Sequence, residues 1–310
     1  MEMNLEQLGS FVEVARLGNF TKAAERLHLT QPSLSRQIAT LEAGLGAELF
    51  HRSRGGSRLT AAGESLLPWA RRMLADASSV RREFAELAGL ERGKVRLGAT
   101  PTLCISLVAE VLSVFHEAHP HVELHLSEQG SRQLLDELEA GELDIALITT
   151  SDTASAQRLT VTPLLTEELV VISSAVLPPI TGNDAIRLDE VAALPQIVFA
   201  DSYDLRKTTD AAFREAELTP TVILEGAQMD AVLRFVERGL GVAVVPAMVL
   251  IDRPQLRSVR LERPSLSRTI SVARPADVAL AAAAAALQRT IELTATTFAV
   301  RSGESMRIAG

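Results

Sequence analysis

The sequence predicts an α plus α/β chain in three parts: a small helical head, one long helix and an α/β body. Three observations carry this. Apolar residues recur at helical spacing in short, interrupted segments up to about residue 58. From about Thr60 to Gly89 they recur every 3.5 residues. From about residue 93 onward, β-branched runs alternate with helical patterns.

The head comes first. Leu5, Leu8, Phe11, Val12 and Ala15 form one helical stripe, broken at Gly18-Asn19. Phe20, Ala23, Ala24 and Leu27 form a second, and Leu34, Ile38, Leu41 and Leu45 a third. Three short helices with tight joints make a bundle of the helix-turn-helix kind. The joint before the third helix reads Thr30-Gln31-Pro32-Ser33. Thr30 or Gln31 can cap the free amides there, and Pro32 is tolerated in a first turn.

Capping does not account for the outer face of that helix. With Leu34, Ile38 and Leu41 inward, the opposite side carries Pro32, Arg36, Ala39 and Ala43, flanked by Ser33 and Ser35. A solvated face carries several Lys and Glu; this one is small and neutral apart from Arg36. Small residues let a helix sit deep in a DNA major groove. There Gln31, Ser33 and Ser35 can meet base edges or phosphates, and Arg36 can take guanine with two hydrogen bonds. Downstream, "FHRSRGGSRLT" sets Arg52, Arg54 and Arg58 around Gly55-Gly56, as in a hairpin wing that follows a phosphate backbone. It lacks the Gly-Lys-Ser/Thr ending of a phosphate-binding loop.

Charge fits this division. The chain carries −8 overall, which by itself argues against nucleic acid. Between residues 20 and 62, however, six basic residues face three acidic ones, a local +3. Screening limits repulsion from the acidic body to about 8–10 Å at physiological salt.

The long helix carries its seam on Leu66, Ala70, Met73, Ala77, Val80, Phe84 and Leu87, with Arg71, Arg72, Asp76, Arg81, Arg82, Glu83 and Glu86 around it. That period marks a helix paired with another helix, a dimerising element. Pro68 is expected to bend it near its start.

In the body, strands are read at Lys94–Ala99, Val122–Leu126, Asp144–Ile148, Leu169–Ser173, Gln196–Phe199, Thr221–Leu224 and Gly241–Val245. The sheet is expected to be largely parallel. The tail after Arg301 reads as polar and loose.

Other classes find little support. Glu2, Glu6 and Glu13 interrupt the start, so no leader segment is read, and Val278–Leu287 is too short for a membrane span. A soluble cytoplasmic protein with no membrane partner is expected. Cys104, the single cysteine, excludes an intrachain disulfide and a Cys-based zinc site. Its place at a helix start could lower its pKa, yet packing is the reading adopted. His116, His119, His121 and His125 cluster, but His119-Pro120-His121 reads as a turn, and no metal is expected. No Ser–His–Asp motif is present, and "GLGVAVVP" is a strand-entry turn, so the chain is not expected to be an enzyme.

The stretch Leu5 to Leu67 resembles the LysR-type transcriptional regulators. Phe11, Ala23-Ala24, Leu27, Gln31-Pro32, Ser35, Ile38, Leu41-Glu42, Leu45-Gly46, Leu49-Phe50, Arg52, Leu59-Thr60 and Gly63 carry the likeness. "GELDIAL" (141–147), "GLGVAVVP" (239–246) and "DLRKTTDAAFREAELTPTVILE" (204–225) extend it. The resemblance implies a winged helix-turn-helix at 1–59, a dimerising linker helix at 60–90 and an effector-binding domain at 91–300, with 301–310 a loose tail. That domain would be periplasmic-binding-protein-like, with two α/β subdomains at about 93–163 plus 268–300 and 164–267. Homotetramers on a promoter dyad, a small-molecule co-inducer and RNA polymerase as a further partner follow from the same likeness. No other cofactor is implied.

In such two-lobed folds a ligand sits at strand ends and helix starts. Thr100, Thr102, Asp201 and Gln228 are cleft residues by family position. Thr149 ends a strand there, and Tyr203 is either a pocket wall or loop packing. Each hydroxyl could equally be a helix cap. Thr100 and Thr102 favour an anion and Asp201 an amine or hydroxyl, so a small polar metabolite is expected. A transport-type binding protein is the alternative; the missing leader and the head argue against it.

Overall fold

Each helix of the head begins and ends on residues that satisfy its free backbone groups. The computed structural model describes residues 3–53, 56–87, 93–149, 158–201, 203–276, 278–302 and 305–309. In it α1 spans Leu5–Leu17, α2 Phe20–Arg26 and α3 Gln31–Leu45. Asn4 caps α1 and forms a capping box with Gln7. Asn19 caps α2 through the amides of Thr21 and Lys22, at 2.9 and 3.0 Å. Thr30, rather than Gln31, caps α3: its hydroxyl accepts from the Ser33 amide at 3.3 Å. Gly18 and Gly46 close α1 and α3 in the left-handed conformation.

The three stripes meet in one core of Leu8, Phe11, Val14, Ala23, Ala24, Leu34, Ile38 and Leu41. A hairpin follows, β1 (Phe50–Ser53) antiparallel to β2 (Gly56–Leu59). Phe50 enters the core from it, its ring 5.4 Å from Phe11 and 5.5 Å from Phe20. Glu42 accepts the Leu49 amide at 2.8 Å, which ties α3 to the hairpin's start.

Helix α4 (Ala61–Leu87) is capped by Thr60, whose hydroxyl accepts from the Gly63 amide at 3.0 Å. It continues through Pro68. Its seam divides. Leu66, Ala70 and Met73 pack into the head core, whereas Val80 and Phe84 are 52% and 66% exposed. A period of 3.5 shows that a stripe is to be covered, not by what; the head itself covers the first half.

The chain divides into two compact units, Met1–Glu91 with Asp136–Leu143, and Arg92–Leu135 with Asp144–Gly310. In the second, β3 (Lys94–Ala99) lies between β4 (Glu123–Glu128) and β5 (Ile145–Thr149), all parallel. The helix Pro101–Ala118 follows β3, with a π turn at Cys104–Val108. It is long and apolar enough to cross a bilayer; here it buries Leu103, Leu107, Val108, Val111 and Phe115 in the core.

The expectation of a largely parallel sheet is corrected by one long strand. β6 (Leu159–Ser174) runs antiparallel to β12 (Ser267–Pro275) along its first part. From Leu169 it pairs antiparallel with β10 (Ala243–Pro246) and β11 (Leu256–Glu262). β7 (Ala185–Arg187) joins β11 in parallel, and β8 (Gln196–Phe199) pairs in parallel with β9 (Val222–Ala227). β6 therefore passes from one half-body to the other, and the chain returns between β11 and β12. Only the apolar run of β6, Leu169–Ser173, is read as a strand from the sequence; the alternations Leu159-Thr160-Val161-Thr162 in its first half and Thr269-Ile270-Ser271-Val272 in β12 are short and were missed.

The loose tail is also corrected. A helix runs over Ala282–Ser302, and β13 (Met306–Ile308) then pairs antiparallel with β6 at Leu165–Glu167. Arg307 alternates with the apolar Met306 and Ile308, a pattern too short to register as a strand.

Candidate functional site

The outer face of α3 is open. Gln31, Pro32, Arg36, Ala39 and Ala43 are exposed, with Ser33 and Ser35 half-buried beside them. Among the described residues Arg36 makes no hydrogen bond or ion pair. No carboxylate lies on this face of α3. Gln31 donates its side-chain amide to the Ser35 hydroxyl at 2.9 Å, so the first turn carries a joined polar pair. In the hairpin, exposed Arg58 stands opposite exposed His51, and Arg52 opposite Ser57. Arg54 lies outside the described residues. Exposed Lys22 and Arg26 on α2 add cations that the sequence showed only as charge.

The hairpin is fixed by close backbone approach. The Ser57 amide donates to the Gly18 carbonyl at 2.8 Å. Behind it, a Cβ on Gly63 would lie 2.3 Å from the Leu49 carbonyl oxygen, so only glycine fits.

In the body, the end of β3 brings Thr100 and Thr102 together, both buried, their hydroxyls 3.5 Å apart. The Thr100 side chain makes no cap hydrogen bond, although its carbonyl accepts from Leu103 and Cys104. Its hydroxyl is not spent on the helix. Thr102 accepts from Arg268 at 3.0 Å. Thr149, at the end of β5, pairs with Ser131, hydroxyl to hydroxyl at 3.2 Å.

On the other half-body, the Tyr203 hydroxyl donates to the Gln228 side-chain oxygen, and the Tyr203 ring stacks on Phe199 at 5.4 Å. Tyr203 is thus both packed and hydrogen-bonded to a second predicted cleft residue. Burial pushes its hydroxyl pKa up, a bond with the Met229 backbone opposes this, and the charges of Glu128 and Asp230 reinforce it. Asp201 stands at the surface. Its side chain is 87% exposed and lies 4.0 Å from Arg206. Arg206 in turn bonds Asp210 at 2.7 Å, the Phe199 carbonyl at 2.8 Å and Glu225 at 3.1 Å, which makes it a local brace.

Cys104 is pushed up to about 12, by burial first and then by the charge of Glu128. The helix start does not activate this thiol. His119 packs its ring on Phe115 at 4.7 Å. Among the described residues no three metal-ligating side chains converge.

Sequence reading missed Glu128, Ser131, Glu167 and Arg268. Ser131 opens a helix, which is a weak signal. The others depend on pairing with residues far away in the chain, and nothing local marks them.

Comparison with known proteins assigns both parts of the chain to one family. Residues 88–294 match the family described as LysR substrate binding domain. Residues 5–64 match the bacterial regulatory helix-turn-helix protein, lysR family. An uncharacterized HTH-type transcriptional regulator of Bacillus subtilis, YybE, is 31% identical over 87% of this chain and 92% of its own length. A probable nitrogen assimilation transcriptional activator of Synechococcus elongatus is 32% identical over 88% and 89%. Among solved structures, a full-length OxyR variant from Pseudomonas aeruginosa covers 94% of this chain and 98% of its own. It superposes with a TM-score of 0.71 at 27% identity.

Proposed function

The chain belongs to the LysR family of DNA-binding transcriptional regulators, and from that premise we propose how its head reads DNA and which residues receive its effector. The protein is a ligand-responsive regulator of transcription rather than an enzyme or a transport-type binding protein. α3 enters the major groove, as the second helix of a helix-turn-helix does. Arg36 takes a base edge, with Gln31, Pro32, Ser33 and Ser35 lining the approach. Arg52, Arg54 and Arg58 hold phosphates in the flanking groove. The observation that carries this reading is the open, small-residue face of α3 with its single unpaired arginine.

Two α4 helices pair through the exposed Val80 and Phe84 and set the half-site spacing on a dyad. Dimers join into a homotetramer, in the cytoplasm, with RNA polymerase as the partner at the promoter. A small polar co-inducer occupies the cleft among Thr100, Thr102, Thr149, Tyr203 and Gln228. Asp201 takes part by leaving Arg206. Closure of the cleft shifts the tetramer and alters DNA bending.

The test is affinity selection of genomic fragments by the purified protein at two salt concentrations, with Arg36→Ala alongside. Enrichment of a few dyad sites, weakened by salt and by the substitution, is the expected result. Equal enrichment by both proteins would remove Arg36 from the reader.

A further inference from the structure

The crossing strand β6 and its neighbour β12 carry an ion pair with no role in the proposed function. Glu167 of β6 and Arg268 of β12 stand directly opposite each other. Arg268 Nε donates to Glu167 Oε1 at 2.8 Å, and Nη2 lies 2.8 Å from the same oxygen as an ion-pair contact without hydrogen-bond geometry. The Glu167 side chain is fully buried and that of Arg268 is 13% exposed. On its other edge Glu167 faces buried Met306 of β13, which helps to close the pair from water.

Both partners also reach beyond the strands. Glu167 Oε2 accepts the Met248 backbone N–H at 3.0 Å, in the turn that follows β10. Arg268 Nη1 donates to the Thr102 hydroxyl at 3.0 Å, in the first turn of the helix that follows β3. One charge pair thus ties a cleft hydroxyl of one half-body to a backbone amide of the other. A parallel contact supports it: the Ser106 hydroxyl, in the π turn, lies 3.0 Å from Met248 Sδ.

The pair also sits where β6 changes partners. β6 carries a bulge at Leu164, between the pairs Ser271–Pro163 and Ile270–Leu165. β6 leaves β12 after Glu168 and joins β10 at Leu169. Glu167 lies between these two points. A buried ion pair adds little stability over an apolar pair of the same size, but it is directional, and losing one partner strands the other. Such a group suits a linkage that must hold one geometry.

We propose that the Glu167–Arg268 pair couples the cleft to the hinge. Arg268 is a positioning residue that registers the state of the Thr102 hydroxyl, and Glu167 passes the change to the Met248 amide. The proposal rests on the reading of the cleft as the effector site.

The experiment needs no effector. Amide hydrogen exchange is measured on the full-length protein, on Thr102→Val and on Arg268→Lys. Thr102→Val keeps the branched shape but removes the hydroxyl, which takes away the acceptor for Arg268 and the partner of the Thr100 hydroxyl. The amide of Ile197, bonded to the Val242 carbonyl at 2.9 Å, reports general loosening. Both variants are expected to speed exchange at Met248 about tenfold, with Ile197 unchanged. If Thr102→Val leaves Met248 at the wild-type rate, the pair is only structural and the coupling is overturned. Equal acceleration at Ile197 overturns it as well. Either failure would leave the cleft reading standing. That reading fails separately, if a metabolite screen finds compounds that stabilise the protein but do not depend on Thr100 or Thr102.

Discussion

Gly56 of the hairpin and Gly18 at the end of α1 meet backbone to backbone: a Cβ on Gly56 would lie 2.8 Å from the Gly18 carbonyl oxygen. Gly56 also holds φ at 137°, a conformation side chains rarely adopt. The wing is therefore placed against the α1–α2 turn by two glycines. Gly56→Ala is expected to cost the head roughly 1–3 kcal/mol. It should also displace Arg58 and weaken DNA binding. Thermal denaturation and a binding titration on a selected fragment check both; an unchanged melting temperature would refute the placement.

Arg36→Ala should weaken binding to a selected site by about 1–3 kcal/mol and relax preference at one base pair. Stability should not change, since Arg36 is exposed and makes no described bond. Arg58→Ala should instead weaken all sequences alike and lower the salt slope by about 0.9. Anisotropy titrations at several salt concentrations separate the two behaviours.

Phe84→Glu should shift the protein toward monomer. Phe84 is 66% exposed on α4, so the charge meets water in a single chain and would be buried in a helix pair. Sedimentation velocity reads the result. A distribution identical to wild type would place the dimer contact elsewhere.

Cys104 predicts a pH dependence. Its folded pKa is raised from 9.0 to about 12, because burial disfavours the thiolate. The unfolded chain therefore releases this proton first, and stability falls as pH rises from about 9 toward 12, with no contribution below that window. Cys104→Ala should flatten the fall. Denaturant melts of both proteins at about pH 8 and about pH 10 test this, and parallel curves would count against it. At neutral pH the thiol should react slowly with alkylating agents.

Met306→Ala should cost roughly 2–5 kcal/mol, as for a buried methionine. Met306 is 3% exposed, and its strand pairs with β6 at the hinge. Denaturant unfolding measures the loss. A cost below about 0.5 kcal/mol, the range of surface changes, would show that β13 does not hold.

Legibility differed between the two units for a physical reason. The stripes of the head, the Thr30 and Pro32 start of α3 and the open face around Arg36 follow from spacing within about 20 residues, the reach of a helical pattern. In the body the apolar strands could be read, as could the hydroxyl pair Thr100 and Thr102. β12 and β13 were missed, because their apolar alternation is short and their pairing comes from neighbours distant in sequence.

The sequence by itself determined the helix-turn-helix, the basic patch on an acidic chain, the amphipathic linker and the loops from which Thr100, Thr149, Tyr203 and Gln228 project. Tertiary structure decided the rest. It set Asp201 at the surface beside Arg206, gave half of the linker seam to the head core, and set Glu167 against Arg268. Periodicity states which side of an element must be covered. Which partner covers it, and which charges meet across a strand pair, depends on contacts about 100 residues apart, such as Glu167 with Arg268, that no local pattern encodes.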